Sequence, residues 1–144
     1  MTPKELITRY ANRSDISLLG EIKNEQIFVN EISSSTIGLC TVFAGSGMKI
    51  KILDYCSSAL PVISTTIGAS GYEALDSLII QDSKQKIIEA IEKLRDDSSA
   101  AQKIGRKNQE KVLDLYGWSK IAEKFETALA LAEDFNLKRF KEVS

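Results

Sequence analysis

A chain of 144 residues, 43% hydrophobic and 27% charged, has the composition of a soluble globular protein and the length of a single domain. Its 19 basic and 20 acidic side chains leave a net charge of −1, so no global field draws it to nucleic acid, and no apolar run reaches the ~18 residues of a membrane span. Histidine is absent, which removes Ser-His-Asp hydrolysis, Cys-His proteolysis and histidine-based metal sites.

Thr2-Pro3-Lys4-Glu5 has the pattern of a capping box with proline at the first helical position, and predicts a helix over 3–12. Ile16 to Leu19, closed by Gly20, predicts a strand. Glu25 to Ser33 predicts a helix with Ile27, Phe28 and Ile32 on one side. Thr36 to Val42 (TIGLCTV) is a β-rich apolar run of the kind found in a strand buried on both faces. Gly45 and Gly47 mark a loop, followed by a helix over Met48–Ser58. Pro61–Thr65 predicts a strand, Thr66–Asp76 a loop, and Ser77–Gln81 another strand.

Three helices close the chain. Ser83 caps the first, with Ile87, Ile91 and Leu94 at i, i+4, i+7 spacing. The second runs from about Ser98 to Leu115, ending before Gly117. Ser119 caps the third, in which Ile121, Phe125, Ala128, Ala132 and Phe135 form an apolar stripe. Strands alternating with helices predict an α/β fold with a mainly parallel sheet, in one domain spanning 1–144. Cys40 and Cys56 lie in apolar segments without C-x-x-C or metal-ligand spacing, and read as buried free thiols of a reducing cytosol. The N-terminus lacks the apolar region of a signal peptide, so a cytoplasmic location is expected.

One stretch invites a chemical reading. In an open α/β sheet ligands sit outside the carboxyl ends of the strands, and the strand TIGLCTV leads through FAGSG straight into a helix. Gly45 and Gly47 permit unusual backbone angles around Ser46. First-turn N–H groups near Met48 and Lys49 can bind an anion, and Lys49 adds charge. Helical periodicity turns Ile52, Leu53 and Cys56 toward the sheet, and Gly47, Lys51 and Asp54 away from it. A carboxylate at Asp54 can accept two hydroxyl hydrogen bonds from a ribose. The plainer alternative is an i, i+3 ion pair of Lys51 with Asp54 on a solvated face, behind an ordinary glycine turn. On the residues alone both stand, and no catalytic residue or metal-ligand set is identified.

These segments, taken in order, resemble the C-terminal, donor-binding domain of retaining GT-B glycosyltransferases of group 1 (family 4). The resemblance rests on TIGLCTV, GSGMKIKILDYCSSALPVIST, TTIGASGYE, SLIIQD and the late YGWS, and covers about Ile16 to Leu129. It implies an incomplete Rossmann-like domain with a long C-terminal helix, and transfer of a glycosyl group from a nucleoside-diphosphate sugar, with neither a metal nor another cofactor required. By the same resemblance Gly45, Ser46, Gly47 and Met48 carry the diphosphate, beside Lys49 and Lys51, and Asp54 holds the ribose.

Three departures accompany it. Ser46 stands where the family has the glutamate that engages the donor hexose, and Asp54 stands where it has a second glutamate. The chain also lacks the family's opening β-α-β unit and its acceptor domain, so the strand near Ile16 corresponds to the family's third. Alone, such a chain is expected to be inactive. Its expected partners are a nucleotide sugar and either the absent half or a second copy, joined through the last helix or the open sheet edge. Two other readings remain open: a non-catalytic nucleotide- or partner-binding module, and a GT-B sugar-nucleotide epimerase, against which the missing histidine argues.

Overall fold

A computed structural model describes residues 4–142, with side chains as far as residue 133. The chain forms two compact units, Met1–Ser35 and Thr36–Ser144. The capping residues Thr2 and Pro3 lie outside the described residues, as do the side chains of Phe135, Leu137 and Phe140.

The first unit contains α1 (Lys4–Tyr10) and α2 (Glu25–Ser33). Asn24 caps α2, its side-chain oxygen accepting the N–H of Ile27 at 3.0 Å. The strand expected at Ile16–Leu19 does not form: the segment is irregular, and Leu18 and Leu19 are exposed. A short apolar run becomes a strand only when a neighbouring strand accepts its peptide groups, and this unit offers none among the described residues. Gly20, at φ +67°, turns the chain toward α2.

The second unit holds β1 (Gly38–Cys40), α3 (Lys51–Ser57), β2 (Val62–Ser64), β3 (Ile79–Ile80), α4 (Lys84–Asp96), α5 (Ser98–Tyr116) and α6 (Trp118–Glu142). The three strands form a parallel sheet in the order β1-β2-β3, with Gly38 opposite Val62 and Ile63 opposite Ile79. This is the expected α/β architecture with a long last helix, although every strand is shorter than the sequence suggests. β1 stops early because the N–H of Val42 bonds back to the carbonyl of Cys40 at 3.1 Å, which takes the chain out of the ladder.

Alternation along β2 sends its side chains to opposite faces, and a core forms on each. Val62 joins Cys40, Ile52, Cys56, Tyr72, Leu75 and Val112, while Ile63 joins Ile87, Leu94 and Ala101. The expectation from TIGLCTV of burial on both faces is met only in part: Ile37 packs against the second core, but Leu39, two residues on along the edge strand β1, is 41% exposed. Ser83 caps α4 as expected, accepting the N–H of Lys86. Ser119 does not cap α6, which begins one residue earlier, at Trp118, where the N–H of Ile121 bonds to the carbonyl of Gly117.

Helix α5 is tied to the turn between α3 and β2. Its buried residues Ala101, Gly105, Asn108 and Val112 make one stripe. Asn108 Nδ2 donates to the carbonyl of Leu60 at 2.9 Å, and Gln109 Nε2 to that of Ser57 at 2.7 Å. The turn itself passes through Ala59 at φ +56°, a left-handed conformation that costs a non-glycine residue about 1–2 kcal/mol.

Candidate functional site

The carboxyl ends of β1 and β2 are joined by two buried hydroxyls. Ser64 Oγ donates to the carbonyl of Cys40 at 3.1 Å. Thr65 Oγ1 donates to the carbonyl of Val42 and accepts the N–H of Gly68 at 3.0 Å. A Cβ on Gly68 would lie 2.4 Å from the Cys40 carbonyl oxygen, so only glycine permits this approach. The exit loop of β1 is thereby fixed to the exit loop of β2. A second contact joins their tips, where Met48 lies over Gly71 so closely that a Cβ there would meet Met48 Cγ at 2.6 Å.

Within the β1 exit loop, Gly45 and Gly47 adopt φ of +111° and +80° with open space where a side chain would project. Lys49 folds back, its Nζ donating to the carbonyls of Ser46 and Gly47, both at 2.8 Å. This fold-back delays the helix. α3 begins at Lys51 rather than Met48, with Ile50 at the cap position and no side-chain cap. The N–H groups of Ile52 and Leu53 bond to the carbonyls of Lys49 and Ile50 at 2.9 and 2.8 Å. The backbone donors of Gly47 to Lys51, by contrast, have no partner among the described residues. Met48 and Lys49 thus present free N–H groups from the loop, not from the helical turn in which the sequence placed them.

Along α3 the periodic reading holds. Ile52 and Cys56 are fully buried and Leu53 packs against their core. Burial pushes the Cys56 thiol up to about 12, so it stays protonated. Asp54 is partly buried, and its carboxylate accepts no hydrogen bond among the described residues. The ion pair with Lys51 does not form, and desolvation raises the Asp54 pKa above the ordinary aspartate value. Its charge reaches Tyr55 and Tyr72, whose phenols are pushed up first by burial and then by neighbouring charges, Asp54 among them. Tyr72 meets the edge of Tyr116 with ring centroids 5.9 Å apart.

The β2 exit loop has its own anchor, which the sequence reading missed. Asp82 accepts the N–H of Thr66 at 2.8 Å and its hydroxyl at 2.7 Å, and these bonds hold its pKa below the usual carboxylate value. A depressed folded pKa contributes stability that is present above the unfolded value and is lost as pH falls through the folded one. Asp82→Ala should therefore melt earlier than the parent at pH 7, with the difference narrowing below about pH 4. A difference that stays constant into acid would mean that the carboxylate charge has no part in holding the loop. A cleft of about 300 Å³ lies within this segment, lined by residues such as Thr66, Tyr72, Glu73 and Asp76, and no residue from 45 to 54 lines it.

The family description "Glycosyl transferases group 1" matches residues 2–97, two thirds of the chain, which belongs to that family. The match starts upstream of Ile16, so it takes in α1 and α2, and it ends before α5. Among solved structures, the C-terminal domain of a group 1 glycosyl transferase family protein from Francisella tularensis is similar, with a TM-score of 0.66 and 20% identity. That similarity covers 80% of this chain and 60% of the Francisella domain. Sucrose-phosphate synthase from Thermosynechococcus elongatus is similar over 91% of this chain, with a TM-score of 0.72 and 16% identity. The chain spans 33% of that synthase. At these identities the likeness is one of fold, that of the GT-B C-terminal domain. No curated protein matches the chain. Among the described residues no helix is long and apolar enough to cross a membrane.

Proposed function

We propose that the chain carries the donor-binding part of a glycosyl-transfer cleft and holds a nucleoside-diphosphate sugar at the loop and helix from Gly45 to Asp54. The observation that carries this reading is the unpartnered, partly buried Asp54 carboxylate one turn into α3, behind a loop of unpaired N–H groups. The diphosphate lies against the backbone donors of Gly47 to Lys51, next to Ser46. The Lys49 ammonium, fixed on the Ser46 and Gly47 carbonyls, and the exposed Lys51 supply positive charge. Asp54 accepts from the ribose hydroxyls, which replace the water it gives up. Transfer needs an acceptor-side half to close the cleft over this site, so these 144 residues by themselves should transfer no sugar.

With open space beside Gly45 and Gly47, affinity should be high micromolar to millimolar, roughly −4 to −6 kcal/mol. Calorimetric titration with UDP, GDP and ADP tests it, with inorganic phosphate as the comparison. Saturable heat with at least one diphosphate supports the reading, and none at several millimolar overturns it. A second reading, a non-catalytic binding module of the same fold, is favoured by Ser46, whose hydroxyl cannot act as a carboxylate toward the donor hexose. Turnover restored by adding an acceptor-side half would exclude that second reading.

A further inference from the structure

A groove runs along α4 beside the outer strand of the sheet. Its volume is about 510 Å³, and one continuous run of chain walls it, from β3 through α4 into the first turns of α5. The floor is apolar: Ile79 on β3, Ala90 and Leu94 on α4, and Ala100 and Ile104 on α5. All but Leu94 are only half-buried, so the floor is open from outside. Two of these residues are alanines, one from each helix, and their short side chains leave the space that larger ones would fill. The polar groups lie on the rim. At about 100° per residue, Lys86, Ala90 and Lys93 share one flank of α4, with the two lysines about 10.5 Å apart along its axis. Neither lysine joins an ion pair among the described residues. Glu89, on the same rim, accepts from Gln85 Nε2 at 3.1 Å, which commits one of its oxygens within α4.

We propose that this groove binds a small amphipathic anion, a linear medium-chain carboxylate, with its tail over Ala90 and Ala100 and its head group on Lys86 or Lys93. A mostly apolar cavity of this size with a few polar groups at its edge is the kind that takes a small molecule. The floor selects an apolar body, and the two ammonium groups select an anionic end. Their aliphatic stems extend the apolar wall, so one side chain serves both parts of the ligand. A peptide adding to the outer edge of β3 is the poorer occupant, because that strand offers only Ile79 and Ile80 for a ladder. The groove lies on the Ile63 face of the sheet, whereas α3 packs on the Val62 face, so the nucleotide reading is not needed here and does not fall with it.

Titration of the whole chain with sodium decanoate, followed by heteronuclear NMR, should give saturable submillimolar shifts centred on Ile79, Ala90, Ala100 and Ile104. Decanol, with the same tail and no charge, should bind at least tenfold more weakly. Ala90→Leu should weaken decanoate at least tenfold with the melting temperature held, since leucine suits a half-buried helix position. The double variant Lys86→Gln, Lys93→Gln should lower decanoate to the affinity of decanol and leave decanol itself unchanged. No saturable shift up to several millimolar, shifts confined to α6, or binding that Ala90→Leu leaves intact would overturn the proposal. Decanol that binds as tightly as decanoate would overturn the assignment of an anionic ligand.

Discussion

Gly105→Ala is expected to destabilise the second unit by about 3 kcal/mol and to lower its melting temperature by roughly 10 °C. A Cβ at this position would lie 1.9 Å from the carbonyl oxygen of Ala59 and 2.8 Å from its carbonyl carbon. Both are backbone atoms, and neither can move by a side-chain rotation. Ala59 is itself held at φ +56° at the end of α3, so the turn cannot swing away without breaking that cap. Lifting α5 instead would stretch the bonds from Asn108 to Leu60 and from Gln109 to Ser57, leaving a buried amide and a buried carbonyl unpaired. Helix propensity works the other way, since alanine in a helix interior is favoured over glycine by about 1 kcal/mol. The sign of the measured change therefore decides between local and tertiary control. A melting temperature that rises would mean that α5 does not lie against this turn.

That contact also marks where the sequence stops being readable. α4 and α5 were legible because a cap or a terminating glycine brackets an apolar period, Ser83 before Ile87 and Leu94 and Gly117 after Tyr116, and α2 from the spacing of Ile27, Phe28 and Ile32 alone. The faces of α3 were legible for the same reason, and Ile52 and Cys56 point where their spacing sends them. The strand at Ile16–Leu19 was not, because a strand is defined by its neighbour and not by its own composition. The start of α3 was misplaced by three residues because Lys49 spends its ammonium on the Ser46 and Gly47 carbonyls, a local choice that propensity does not register. For the candidate site, the helix period and the turn residues were enough to foresee the partly buried position of Asp54 and the positive φ of the two loop glycines. Ser64, Thr65 and Gly68, which fix the loop in place, could not. Their partners, Cys40 on β1 and Val42 just beyond it, lie more than twenty residues away, and small residues at a strand end carry no signal of their own. Gly105 is the extreme case, a glycine inside a helix whose reason is a carbonyl 46 residues upstream.

Asp54→Asn is expected to weaken nucleoside-diphosphate binding and to stabilise the fold, two effects of opposite sign from one carboxylate. On the binding side, Asn keeps the shape but loses the charge and one acceptor. A charge-assisted hydrogen bond contributes about 1.5–3 kcal/mol, so the loss should be roughly 10–100-fold, and Asp54→Ala should reduce binding at least as far. On the stability side, desolvation raises the Asp54 pKa in the folded chain. A raised carboxylate pKa means that the folded state holds its proton more tightly than the unfolded state does. Stability contributed by this group is then lost as pH rises from the unfolded value, about 3.9, through the folded one, and the cost persists at neutral pH. The Asn variant carries no such cost, so its melting temperature should exceed that of the parent at pH 7 and converge on it near pH 3. Binding by the parent should run the other way, strengthening with pH as the carboxylate ionises, while the Asn variant stays flat. This is the pattern of a group kept for a ligand at the expense of the fold. An Asn variant that binds as tightly as the parent would remove Asp54 from the ribose. One that melts earlier at neutral pH would make the carboxylate a structural acceptor instead.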